Sequence, residues 1–136
     1  MRSRWLLLPT GAYGLALVLI ALWSNPVDQN VDVLRLRPVR WVAEAFDLTP
    51  MQTYETVESA ANIALFVPLG ALVLLWRPRW SWLIATLIAF AISGSIELAQ
   101  EIARPERFAT LDDVIVNTIG GAVGALLVVA ARAIRR

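Results

Sequence analysis

The chain has 136 residues, 58% of them hydrophobic and only 17% charged, with a mean hydropathy of +0.63. An average soluble domain is about 45–50% apolar, and a water-soluble fold of this length has too little interior to hide the excess. The formal charge of +1 comes with no basic stripe interleaved with aromatics, so the sequence points to no nucleic-acid partner.

Missing residue types narrow the chemistry. There is no cysteine, which removes disulfides, thiolate nucleophiles and zinc-thiolate sites, and no histidine, which removes the usual proton carrier and imidazole ligand. All twelve basic residues are arginine, which excludes a Schiff-base or P-loop lysine. No motif calls for a metal or a cofactor.

Four apolar runs, at roughly residues 5–23, 60–76, 81–101 and 113–131, are each near the roughly 17–25 residues that a spanning helix needs. They predict an all-α fold: a single membrane domain over 1–136, built as a four-span transmembrane bundle. The first run, Leu6 to Trp23, follows Arg2 and Arg4 like a signal peptide, but Ile20 to Pro26 offers no small-x-small cleavage pattern. A retained anchor is therefore expected. Between the first two runs, Pro38 to Leu48 sets Val39, Val42, Ala43 and Phe46 at helical spacing opposite Arg40, Glu44 and Asp47. That pattern predicts a short helix lying on the membrane surface.

Orientation follows from the arginines. Arg2 and Arg4, then Arg77 and Arg79, then Arg132, Arg135 and Arg136 flank one side of a four-span bundle, with no acidic residue among them. Arg35, Arg37, Arg40, Arg104 and Arg107 lie on the other side among most of the acids. The positive-inside rule then predicts a multi-pass protein of the cell membrane with both termini cytoplasmic. Trp76, Trp80 and Trp82 cluster at the inner turn, where indoles favour the headgroup level.

The polar residues that hydrocarbon disfavours gather at the outer ends of the last three spans. Glu55, Glu58 and Asn62 share one helix face in the second. Ser93, Glu97, Gln100 and Glu101 do so in the third, and Asp113, Asn117, Gly120, Gly121 and Gly124 in the fourth. Glu97 lies about 22 Å along its helix from Trp82, inside a core about 30 Å thick, so its carboxylate needs a partner, a proton or a wet cavity. Arg104 and Arg107 in the following loop are the nearest candidate partners.

Structural roles compete for several of these groups. Thr110 and Asp113 have the spacing of a variant capping box, and Asp112 and Asp113 sit where a helix macrodipole favours acids. Gly120 and Gly124 form a small-residue packing motif, while Pro68 frees the Ala64 carbonyl and Gly70 eases packing beside the bend. Glu58, Glu97 and Asn117 are harder to explain as glue, because a buried acid is a costly way to join helices.

The runs Asn62 to Gly70, Ser95 to Gln100, then Arg107, then Thr110 to Gly124 resemble the successive motifs of the VanZ-like family of small bacterial membrane proteins. The resemblance covers about Glu55 to Gly124 and carries over Asn62, Phe66, Pro68, Gly70, Glu97, Gln100, Arg107, Asp113, Asn117, Gly120 and Gly124. One departure is Glu106 after Pro105, where the family pattern often has glycine before the arginine. The resemblance implies a helical protein of the bacterial cell envelope, in a family whose founding member is associated with resistance to the glycopeptide teicoplanin. It implies no settled reaction.

Together these observations predict a polar outer-leaflet site that binds membrane lipid, a lipid-linked envelope precursor or a glycopeptide. Asn62, Glu97, Gln100, Arg104, Arg107, Asp113 and Asn117 are its candidate ligand-binding residues. The alternative is an intramembrane hydrolase or transferase acting on a lipid head group, with Glu97, Glu58 or Asp113 as the catalytic carboxylate.

Overall fold

The computed structural model describes residues 4–22, 33–103 and 111–135. Within them the chain forms five α-helices and no strand: α1 (Arg4–Leu22), α2 (Arg37–Ala45), α3 (Pro50–Trp76), α4 (Trp82–Ala103) and α5 (Leu111–Ile134), with a single 3-10 turn at Val33–Arg35. The expected all-α architecture is present. Three helices, Pro50–Trp76, Trp82–Ile102 and Leu111–Ile134, are long and apolar enough to cross a membrane. The first expected span corresponds to α1, whose apolar stretch, Arg4–Ile20, is shorter than the other three.

Local chemistry sets the helix ends. α3 begins at Pro50, in the first helical position where a missing N–H is harmless, and Thr49 and Gln52 form a reciprocal capping box ahead of it. The helix therefore starts ten residues before its apolar run. α2 ends where Asp47 takes a left-handed φ of 50° and the Leu48 N–H reaches back to the Ala43 carbonyl at 2.9 Å. Val39, Val42 and Ala43 are half-buried as the pattern of that segment predicts, but Phe46 caps the helix and is exposed along with Trp41.

The bundle is inside-out relative to a soluble protein. Gly120, Gly121, Gly124, Ala125, Ala85, Ala89, Ser93 and Asn117 are buried where α5 meets its neighbours. Leu83, Leu87, Phe90, Ile115, Ile119 and Leu127 face outward. Small residues between helices and large apolar ones outside are what packing in lipid favours, because hydrocarbon supplies no drive to bury leucine.

α5 is the hub. It runs parallel to α3, and the contacts are backbone to backbone: Gly120 sits against Ile63, Gly124 against Val67, and Gly70 against Gly121. Against α4 it runs antiparallel, with Asn117 opposite Ser93, Gly121 opposite Ala89, and Ala125 clustered with Ala85 and Leu74. Each step is four residues forward on one helix and four back on the other.

At the arginine-rich end, Arg132 of α5 donates to the Leu74 carbonyl at 2.6 Å and to the Pro78 carbonyl at 3.1 Å. A guanidinium there satisfies an orphan carbonyl and sits at the negative end of the α3 dipole. α1 docks more lightly. Its Thr10 accepts from the Trp76 indole N–H at 2.8 Å, its Tyr13 hydroxyl donates to the Leu65 carbonyl at 3.0 Å, and Leu17 packs with Phe66 and Ala89. The Tyr13 bond goes to the carbonyl next to that of Ala64, the one Pro68 leaves without its usual donor.

Candidate functional site

The close α3–α5 approach brings Asn62 onto Asp113, whose Oδ1 accepts from the Asn62 amide at 2.8 Å. One turn deeper along α5, the Asn117 Nδ2 donates to the Ser93 hydroxyl of α4 at 2.9 Å. Both members of that second pair are buried, Ser93 completely. From Ser93 and Asn117, one further step in the antiparallel register leads to Glu97 on α4 and Asp113 on α5. Three helices thus contribute to one polar layer, as the shared faces in the sequence predict.

The layer is stacked along the helices. Ser93 lies about 16 Å along α4 from Trp82 and Glu97 about 22 Å, so the hydroxyl–amide pair is the rung nearer the middle of α4. Glu97, Gln100 and Asp113 are half-buried, while Glu58, Glu55, Glu101 and Asp112 are exposed. Glu58, Glu97, Gln100 and Asp113 each engage a neighbouring group, so none of these polar groups stands alone. Arg104, Arg107 and Thr110 lie outside the described residues.

One atom stands out. The Asn117 Oδ1 is buried and has no hydrogen-bond partner among the described residues, in a side chain that is 6% exposed. Leaving a buried carbonyl unpaired costs about 1–3 kcal/mol. Because the Ser93 hydroxyl can donate or accept, turning the amide over moves the unpaired atom to Nδ2 and still leaves one. The polar layer therefore contains an unused hydrogen-bonding position, flanked by two carboxylates in register.

Chemically the layer is rich in acceptors: two carboxylates, a hydroxyl and an amide oxygen suit a ligand that presents hydroxyl, amine or amide donors. Among the described residues, no group of three or more acidic side chains lies close enough together to hold a metal ion. Gly120 and Gly124 prove to be packing positions. Gly70, read from the sequence as easing a bend, is a third, and its neighbour across the interface is Gly121. Ser93 belongs to the layer although only its place on the Glu97 face marks it in the sequence.

The order of these motifs along the chain is matched by a family model described as VanZ/LLP1, which covers residues 11–132. The chain belongs to the VanZ/LLP1 family. That match takes in most of α1 as well as α3, α4 and α5, so the family reaches beyond the half of the chain that carries the recognisable motifs. No curated protein and no solved structure matches this VanZ/LLP1 member.

Proposed function

We propose that this VanZ/LLP1 membrane protein crosses the cell membrane four times with both termini in the cytoplasm. Its polar layer then opens toward the outer leaflet and binds the head group of an amphipathic lipid or lipid-linked envelope molecule. The observation that carries this reading is the Asn117 amide atom, buried and without a partner among the described residues, one helical turn along α5 from Asp113. A ligand donor placed there completes the Asn117–Ser93 pair, and the half-buried acids above it accept further donors from the same head group. Arg107, a family motif position in the sequence between α4 and α5, would meet a phosphate or carboxylate on the ligand. A glycopeptide, or the lipid-linked target of one, is one ligand of this chemistry.

The test is the lipid that co-purifies with the protein from native membranes, extracted and compared with the bulk composition. One lipid class enriched on the wild type and lost from Glu97→Gln and Asn117→Ala supports the reading. Bound lipid that mirrors the bulk, or that is unchanged in both variants, refutes it. Glu97 and Asp113, in register, also favour a second reading as a carboxylate pair with divided acid and base roles. A lipid product that appears with the wild type and not with Glu97→Gln would select that reading instead.

A further inference from the structure

Away from the polar layer, α1, α3 and α4 enclose a groove of about 400 Å³ toward the arginine-rich end of the bundle. Gly14 and Leu17 of α1, Leu69 of α3 and Ile92 of α4 line it, and Arg77 and Trp80 of the α3–α4 turn stand at one end. The groove exists because α1 touches α3 and α4 at few points: the Thr10–Trp76 and Tyr13–Leu65 hydrogen bonds and the Leu17 cluster hold the helix across a gap.

Those same hydrogen bonds decide what the groove accepts. Thr10, Tyr13 and Trp76 also line it, yet each already has a partner within the protein, so the wall is apolar in effect. An apolar cavity inside a bilayer does not hold water, and the available solvent is hydrocarbon. From Trp82 to Ile92, α4 rises about 15 Å, half of a hydrocarbon core about 30 Å thick and hence the depth of one leaflet.

Charge at the open end supplies the rest. Arg77 and Arg79 are exposed, and among the described residues neither has an acidic partner. The Arg77 guanidinium lies over the Trp80 ring, 5.7 Å from its centroid, which holds it at the headgroup level. Arg4, Arg132 and Arg135 lie at the same end of the bundle, and no acid lies in the turn from Arg77 to Ser81. We infer that the groove holds one acyl chain of an anionic phospholipid from the leaflet at this end, with Arg77 beside its phosphate. This site is separate from the polar layer in both position and ligand chemistry.

The full chain is reconstituted in phosphatidylcholine vesicles containing phosphatidylglycerol with a photoactivatable acyl chain, and the labelled residues are mapped by mass spectrometry. Label is expected to concentrate on the segments around Gly14 and Leu69, above the level on the outward Leu87 and Phe90 face. A Cβ added at Gly14, which lines the groove, meets nothing within 4 Å, so Gly14→Leu adds bulk there without a clash at its Cβ and should reduce that concentration. Arg77→Gln, at an exposed turn that tolerates substitution, should lower the preference for phosphatidylglycerol over a phosphatidylcholine probe about five-fold, the equivalent of about 1 kcal/mol per arginine at an anionic surface. Even labelling of groove and outer face, or label unchanged by Gly14→Leu, overturns the groove assignment. Equal labelling by the two probes overturns the anionic headgroup. Glu97→Gln should leave the pattern intact, which separates this site from the proposed outer one.

Discussion

Replacing Gly124 with alanine tests whether the α3–α5 contact builds the polar layer. The added methyl would overlap the Val67 carbonyl oxygen and stand 2.8 Å from the Val67 carbonyl carbon and 3.0 Å from the Ala71 nitrogen. All three are backbone atoms, which cannot rotate aside. Ordinary contact needs about 3.5 Å or more, so the helices must part by about 1 Å. Overpacking of this kind costs about 1–3 kcal/mol, and the 2.8 Å Asn62–Asp113 bond, spanning the same interface, stretches and forfeits about 0.6 kcal/mol more. Alanine gains back about 1 kcal/mol over glycine in a helix, which leaves a net loss of about 0.6–2.6 kcal/mol. Gly94→Ala is the control, because a Cβ there meets nothing within 4 Å and only the helix-propensity gain applies. Unfolding in mixed micelles with increasing denaturing detergent measures both. Equal stability of the two variants would refute the close contact as the scaffold of the site.

Arg132→Gln removes a charged donor from the Leu74 and Pro78 carbonyls and should lower stability by about 1.5–3 kcal/mol in the same assay, with lipid retention at the polar layer unchanged. Because the chain has no cysteine, single introduced thiols report sidedness without background. An impermeant maleimide added to intact cells should label Glu101→Cys at the end of α4 and spare Arg79→Cys in the α3–α4 turn. The opposite pattern would invert the proposed topology.

Much of this fold is legible in the sequence because lipid leaves few alternatives. Apolar runs of spanning length predict α3, α4 and α5, and 3.6-residue periodicity alone puts Asn62, Glu97, Asp113 and Asn117 on the faces that meet. The position of Glu97 along α4 follows from helix rise. Which helix lies beside which does not follow. The pairings of Asn62 with Asp113 and of Asn117 with Ser93 depend on the parallel and antiparallel registers of α5, and those are set by glycines whose partners lie on other helices. Gly70 illustrates the limit: its neighbour Pro68 suggests a local bend, whereas the atom it makes room for belongs to Gly121, 51 positions away. The early start of α3 was readable, since Thr49-Pro-Met-Gln52 has the capping-box spacing, but apolar periodicity draws attention to the later run. The groove beside α1 has no linear signature, because it is the space left between helices that touch at few points.

Side chains from three different helices are proposed to act as one site. A double-mutant cycle on lipid retention tests this most directly, pairing Glu97→Gln on α4 with Asn62→Ala on α3 and quantifying the co-purified lipid in wild type, both single variants and the double. One shared site predicts that each single change removes most of the bound lipid and that the double loses little more. Retention that falls additively, or that neither single change reduces, would contradict the account.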